Sequence, residues 1–186
     1  MMEARGITLC FGEKRVLEEF SFSAPDSGLT YLSGPSGVGK TTLLRVLAGL
    51  LTPQAGTVEL PGAPVLLFQE DRLFPRCSAR RQIQAVLPKE RWGEAERWLE
   101  LVELEESGDK WPEELSGGMA RRVALARALA VEGGLWLLDE PFAGVDLDCA
   151  GRILGRLRKL GRPVVLTGHT PELAGQCDRI VEIKGR

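Results

Sequence analysis

The chain has 186 residues, 44% of them hydrophobic and 27% charged, which is enough for one domain with a sizeable core. A formal net charge of −2 and a pI near 5.6 argue against a charge-driven nucleic-acid binder, and no apolar run reaches the length of a membrane span. The four cysteines, Cys10, Cys77, Cys149 and Cys177, are dispersed without a CxxC pair and there is one histidine, so neither a disulfide frame nor a histidine metal centre is expected.

The N-terminus carries Glu3 early and has no apolar signal segment, which points to a cytosolic chain. In chain order, ITLCFG, EFSFSA and GTVELPG alternate apolar and polar residues and predict an antiparallel edge sheet near the N-terminus. Strands are predicted at 30–33, 65–69, 135–139 and 164–167. Two of these, LWLLD and VVLT, are continuous apolar runs of the kind buried on both faces. Helices are predicted at 41–48, capped by Gly49, at 94–104 with Trp98, Leu101 and Val102 on one face, and at 117–131. A further helix at 148–160 places Ile153, Leu154 and Leu157 together and ends at Gly161. Strands alternating with helices predict a largely parallel α/β sheet. Residues 75–114 show no convincing strand and read as a small helical insertion within a single domain spanning 1–186. The text after 178–183 leaves no room for a regulatory C-terminal domain.

The run from Gly34 to Thr41, GPSGVGKT, matches G-x-x-x-x-G-K-[ST] between a predicted strand and a predicted helix. Gly34, Ser36, Gly37, Gly39, Lys40, Thr41 and Thr42 are therefore candidate phosphate ligands. Glycines let backbone N–H groups close on an anion, and the helix start adds its positive end. Lys40 reaches the β- and γ-phosphates, and Thr41 is placed to ligate Mg²⁺. The acid such a site needs lies in LWLLDEP. Asp139, at the end of a buried strand, would hold Mg²⁺ through water, and Glu140 would serve as general base. In LSGGMARRVALARAL, Ser116 is a good N-cap, and Gly117 and Gly118 leave a second helix start open to an anion.

This ordered set resembles the ATP-binding cassette (ABC) ATPases over nearly the whole chain. GPSGVGKT resembles the Walker A loop, LLDEP Walker B with its catalytic glutamate, and LSGGM the family signature. Gln69 in LLFQED matches the Q-loop glutamine, Asp146 in AGVD the D-loop, and His169 the switch histidine. Phe11 falls where the family keeps a ring that stacks on adenine. The sequence departs from the family at Met119, where glutamine is usual, and at Gly168 and Thr170, which flank the histidine.

The resemblance implies a P-loop NTPase α/β fold with a largely parallel central sheet, an N-terminal antiparallel β subdomain and a small helical insertion. It implies ATP and Mg²⁺ as ligands, with Thr41, Gln69 and Asp139 on the metal and Glu140, His169 and Gln69 in catalysis. Ser116, Gly117, Gly118 and Asp146 would complete the nucleotide site of a second copy, or of a homologous ATPase subunit, in a head-to-tail dimer. A transmembrane permease on the inner face of the cell membrane is implied as partner, with an extracytoplasmic solute-binding protein reached through it. FQEDRLFP further resembles the ATPases of bacterial importers for nitrate, sulfonates and taurine. A soluble non-transport ABC ATPase and a regulatory nucleotide-binding protein stand as alternatives. Two readings are open for Arg121 and Arg122, solvated helix residues or support for a subunit interface. Two are also open for Arg72, Arg76, Arg80 and Arg81, a solvated face or a surface that meets the membrane partner.

Overall fold

A computed structural model describes residues 1–184. Strands β1 (Met2–Phe11), β2 (Lys14–Ala24) and β4 (Ala55–Glu59) form one antiparallel sheet in the order β2-β1-β4. Strands β3 (Gly28–Ser33), β5 (Pro64–Leu67), β6 (Leu135–Leu138), β7 (Pro163–Thr167) and β8 (Arg179–Glu182) form a second sheet, ordered β5-β6-β7-β3-β8. Every described pairing in that second sheet is parallel. The alternating N-terminal segments thus make the antiparallel sheet expected of them, separate from the parallel one.

The helices are α1 (Lys40–Leu47), α2 (Ala79–Gln84), α3 (Ala95–Leu101), α4 (Gly117–Ala130), α5 (Leu147–Lys159) and the short α6 (Pro171–Ala174). Side-chain alternation in the parallel strands divides the core into two layers. Tyr31, Leu67, Trp136, Leu138, Val164 and Leu166 pack with α2, α3, α4 and α5. Leu32, Leu135, Leu137 and Val165 pack on the opposite face with α1 and the antiparallel sheet. This is why LWLL and VVLT read as unbroken apolar runs: both faces of each strand are covered.

Between residues 75 and 114 the described structure holds α2, α3 and three 3₁₀ turns, with no strand. Helix α1 ends in a Schellman turn, with Leu50 N–H on the Arg45 carbonyl at 2.9 Å and Gly49 N–H on the Val46 carbonyl at 3.0 Å. Gly49 stands at φ 71°, where a side chain would be strained.

The structure corrects several sequence expectations. The strand expected at 65–69 ends at Leu67, so Gln69 lies in the loop beyond the sheet. Strand β8 and helix α6 were not anticipated. Arg179–Glu182 is a mostly exposed edge strand without an apolar run, and the helix is a single turn started by Pro171. Of the four arginines between 72 and 81, Arg72, Arg76 and Arg81 are exposed and Arg80 is half-buried. Arg80 pairs with Glu96 and Asp109, while Arg72 lies over Phe68 and Arg81 over Trp92.

Candidate active site

The C-terminal ends of β3, β5, β6 and β7 lie on one edge of the parallel sheet, and the candidate residues gather in the loops they feed. A cleft of about 300 Å³ is lined by Ser36, Gly37, Gly39, Lys40, Thr41, Thr42, Gln69, Glu140 and His169. Four separate motifs thus converge on one cavity.

The phosphate loop is shaped by its glycines. Gly39 caps α1 at φ 110°, and a Cβ there would stand 2.9 Å from Val16 Cγ1, so both backbone and space demand glycine. Lys40 is buried and folds back over the loop. Its Nζ donates to the carbonyls of Gly34 at 2.7 Å and Pro35 at 3.0 Å. A second hollow, beside the loop, is lined by Lys14, Val16, Phe20, Pro35 and Gly37 among others. Phe11 closes β1 and is 53% exposed, which rules out a core role. It lines neither the cleft nor that hollow.

Asp139 and Glu140 follow β6 directly. Asp139 is buried, and its Oδ1 accepts the Thr167 hydroxyl proton at 2.9 Å. The same hydroxyl accepts Glu140 N–H at 2.9 Å. Thr167 therefore spends both donor and acceptor on the acidic pair. Glu140 has φ 48°, a left-handed conformation that a glutamate holds only under imposed geometry. Its carboxylate Oε1 lies 2.9 Å from His169 Nε2, so the proposed base and the histidine are hydrogen-bonded partners.

Arg121 answers the question the sequence left open. It is 2% exposed, neither solvated nor available to another subunit. Its guanidinium donates to the carbonyls of Glu140 at 3.0 Å, Phe68 at 2.8 Å and Gln69 at 3.1 Å. It also reaches Asp71 Oδ1 at 3.0 Å and the Asp139 carbonyl. One side chain thus fastens the loop carrying Gln69 to the loop carrying Glu140. Arg122 instead donates to the Val102 and Glu103 carbonyls, both at 2.8 Å, and anchors the end of α3. Sequence reasoning weighed Arg121 only as a solvated or interface residue, and it did not single out Thr167. The available signal was an arginine on the otherwise apolar face of an Ala/Leu-rich helix and a hydroxyl closing an apolar strand.

The loop after β5 has further fastenings. Arg127, whose pKa is lowered by burial, donates to the carbonyls of Asp71 at 2.9 Å and Arg72 at 3.0 Å. The buried Gln82 of α2 accepts Phe74 N–H at 3.0 Å and donates to the Phe74 carbonyl at 2.7 Å.

Ser116, Gly117, Gly118 and Asp146 do not line the cleft. Ser116 caps α4, its Oγ accepting Met119 N–H at 3.3 Å. Asp146 caps α5, accepting Cys149 N–H at 3.0 Å. A Cβ on Gly118 would lie 2.5 Å from the Gly144 carbonyl oxygen, so the two capped loops touch backbone to backbone.

Comparison with known proteins identifies the family. Residues 17–143 match the family model for the ABC transporter. The aliphatic sulfonates import ATP-binding protein SsuB 1 of Nocardia farcinica is 40% identical over 189 residues, covering 97% of this chain and 77% of its own length. The sulfate/thiosulfate import ATP-binding protein CysA of Synechocystis is 38% identical, covering 84% of this chain and 49% of its own length. A solved dimeric ATP-binding cassette in a post-hydrolysis state, bound to ADP and Pi, superimposes with a TM-score of 0.86 at 26% identity, covering 98% of this chain and 94% of its own. No described helix is long and apolar enough to cross a membrane. This chain belongs to the ABC transporter family, as an ATP-hydrolysing subunit.

Proposed function

We propose that the chain powers import of a small oxyanion, working as a head-to-tail pair bound to a membrane permease at the inner face of the cell membrane. One observation carries this reading. The phosphate loop, Gln69, Glu140 and His169 share a cleft from which Ser116, Gly117, Gly118 and Asp146 of the same chain are absent. A second copy, or a homologous ATPase subunit, turned head to tail supplies them, and the dimeric form of the similar cassette supports that arrangement. The import of sulfonates and of sulfate or thiosulfate in the names of the relatives supports the oxyanion class. The permease, fed by an extracytoplasmic solute-binding protein, selects the solute.

Within the cleft, Lys40 Nζ exchanges the Gly34 and Pro35 carbonyls for β- and γ-phosphate oxygens. The backbone N–H groups of the loop and the start of α1 hold the remaining phosphate charge. Phe11, exposed at the end of β1, stacks on adenine. A Thr41 hydroxyl and a Gln69 amide oxygen in the cleft, with the buried Asp139 carboxylate near by, are the sparse hard-oxygen set that suits Mg²⁺ already carrying water and phosphate. No group of three or more acidic, histidine or cysteine side chains among the described residues forms a self-sufficient cage. When bound, Mg²⁺ neutralises charge on the β- and γ-phosphates. Glu140 polarises the attacking water, and His169 holds the Glu140 carboxylate and the γ-phosphate in register. Gln69 relays the state of the phosphate to the helical insertion, 75–114, along the loop that Arg127 and Gln82 fasten.

Glu140→Gln tests this reading. ATP binding is retained, steady-state turnover falls by about 10²-fold or more, and ATP holds the variant as a dimer in sedimentation. Equal turnover in both proteins would refute the assignment of the base.

A further inference from the structure

The link from β7 to α6 consists of Gly168, His169 and Thr170. It rests on a tyrosine that none of the nucleotide-binding motifs contains. Tyr31, in the middle of β3, is 3% exposed and packs in the layer that faces the helices. Its Oη accepts Thr170 N–H at 3.2 Å and donates toward the Thr170 carbonyl at 3.5 Å. Burial pushes the phenol's pKa up, so it keeps the proton it donates.

The residue before the histidine is shaped by the same hydroxyl. A Cβ on Gly168 would stand 2.6 Å from Tyr31 Oη and 3.3 Å from Cζ. The backbone of Gly168 is not left-handed, so glycine is there for room rather than conformation. Tyr31 and Gly168 form an interlock: the phenol occupies the space a side chain would take and in return ties down Thr170. His169 lies between these two anchored positions, with its Nε2 on Glu140.

We propose that Tyr31 is a positioning residue for His169, and that Gly168 and Tyr31 are a matched pair in which the hydroxyl replaces a side chain and fixes the histidine loop. This rests on the role of His169 proposed above. Orientation of an imidazole toward a carboxylate is sensitive to small displacements of the loop, because a misplacement near 1 Å is enough to cost catalysis heavily.

The test is ATP turnover of the full chain in Tyr31→Phe, Gly168→Ala, the double variant and His169→Ala. Tyr31→Phe lowers kcat about three- to tenfold, the worth of one neutral hydrogen bond, with KM for ATP unchanged. Gly168→Ala alone lowers kcat further. The double variant recovers much of that loss, because the atom that clashes is gone. In a His169→Ala background, Tyr31→Phe changes the single-turnover rate no further. An equal Gly168→Ala loss with and without the tyrosine hydroxyl would overturn the pairing. A Tyr31→Phe loss that persists undiminished without the histidine would make the phenol merely structural and overturn the positioning role. Wild-type turnover in His169→Ala would sink the histidine's role and the latch with it. Lost turnover there beside an unchanged kcat in Tyr31→Phe would sink the latch alone.

Discussion

The loop after β5 and the beginning of the β6–α5 loop are held by buried side chains from elsewhere in the chain, whereas the end of the β6–α5 loop and the approach to α4 are held by the caps of the helices they enter. On the cleft side, Arg121 joins four carbonyls and Asp71, and Thr167 holds both acidic residues. On the signature side, Ser116 and Asp146 satisfy the first turns of their own helices, and glycine backbones touch at Gly118 and Gly144. A buried polar network costs a great deal to break but defines geometry sharply. Local caps fix a helix start cheaply and leave the outer surface free. In the head-to-tail arrangement proposed above, the chain would assemble its own half of the nucleotide site internally and offer the other half as an open, locally braced surface.

The contrast is sharpest at Arg121. Arg121→Met strands buried acceptors in both loops, and a stability loss of about 3–5 kcal/mol is expected in urea unfolding, a large share of a domain's total. Arg121→Lys keeps the charge without the fork that reaches both loops and should fall between the two in both stability and turnover. A Met variant as stable as wild type would show that the network contributes nothing. Gly118→Ala probes the other side. Its Cβ meets the Gly144 carbonyl, an overpacking that costs about 1–3 kcal/mol. Nucleotide affinity should be retained in a fluorescent-nucleotide titration while ATP-dependent dimerisation is lost. Loss of nucleotide binding instead would mean that the two sides are not separable.

The smallest effect concerns the tie between α3 and α5. Glu103 lies between Arg152, at 2.7 Å, and Arg156, at 3.2 Å. The hydrogen bond from Arg152 lowers its pKa from 4.5 to about 2. The folded state therefore binds this proton less readily than the unfolded chain. The stabilisation is complete above the ordinary carboxylate value and is lost as pH falls toward 2. For a partly exposed pair it amounts to about 0.5–1 kcal/mol. Glu103→Gln should remove that amount at pH 7 in thermal melts and flatten the acid limb of the stability profile. An identical pH profile in both proteins would dissociate the ion pair from the tie between the helices.

Much of this molecule is legible as text. The phosphate loop, the acidic pair and the signature are short stretches in which the chemistry demands particular residues at fixed spacing. Continuous apolar runs also announced the strands covered on both faces, and with them the parallel sheet. The edge strand β8 escaped because Arg179, Ile180, Val181 and Glu182 are mostly exposed and carry no pattern of their own. Only β3, lying alongside, makes them a strand. The end of β5 at Leu67 was likewise invisible, since nothing in the apolar run distinguishes a residue paired in a sheet from one just past it.

The sequence by itself singled out the candidate phosphate-binding groups and the candidate base and acid, because such functions belong to contiguous residues whose neighbours are covalently fixed. Tertiary structure alone decided how they are aimed. Arg121 meets Gln69 and Glu140 across 52 and 19 positions of chain, and Tyr31 meets Thr170 across 139. At such separations, only the packing of strands and helices selects which donor finds which acceptor. A buried guanidinium or phenol is read as a bare letter until the fold removes its water and leaves it the partners that remain.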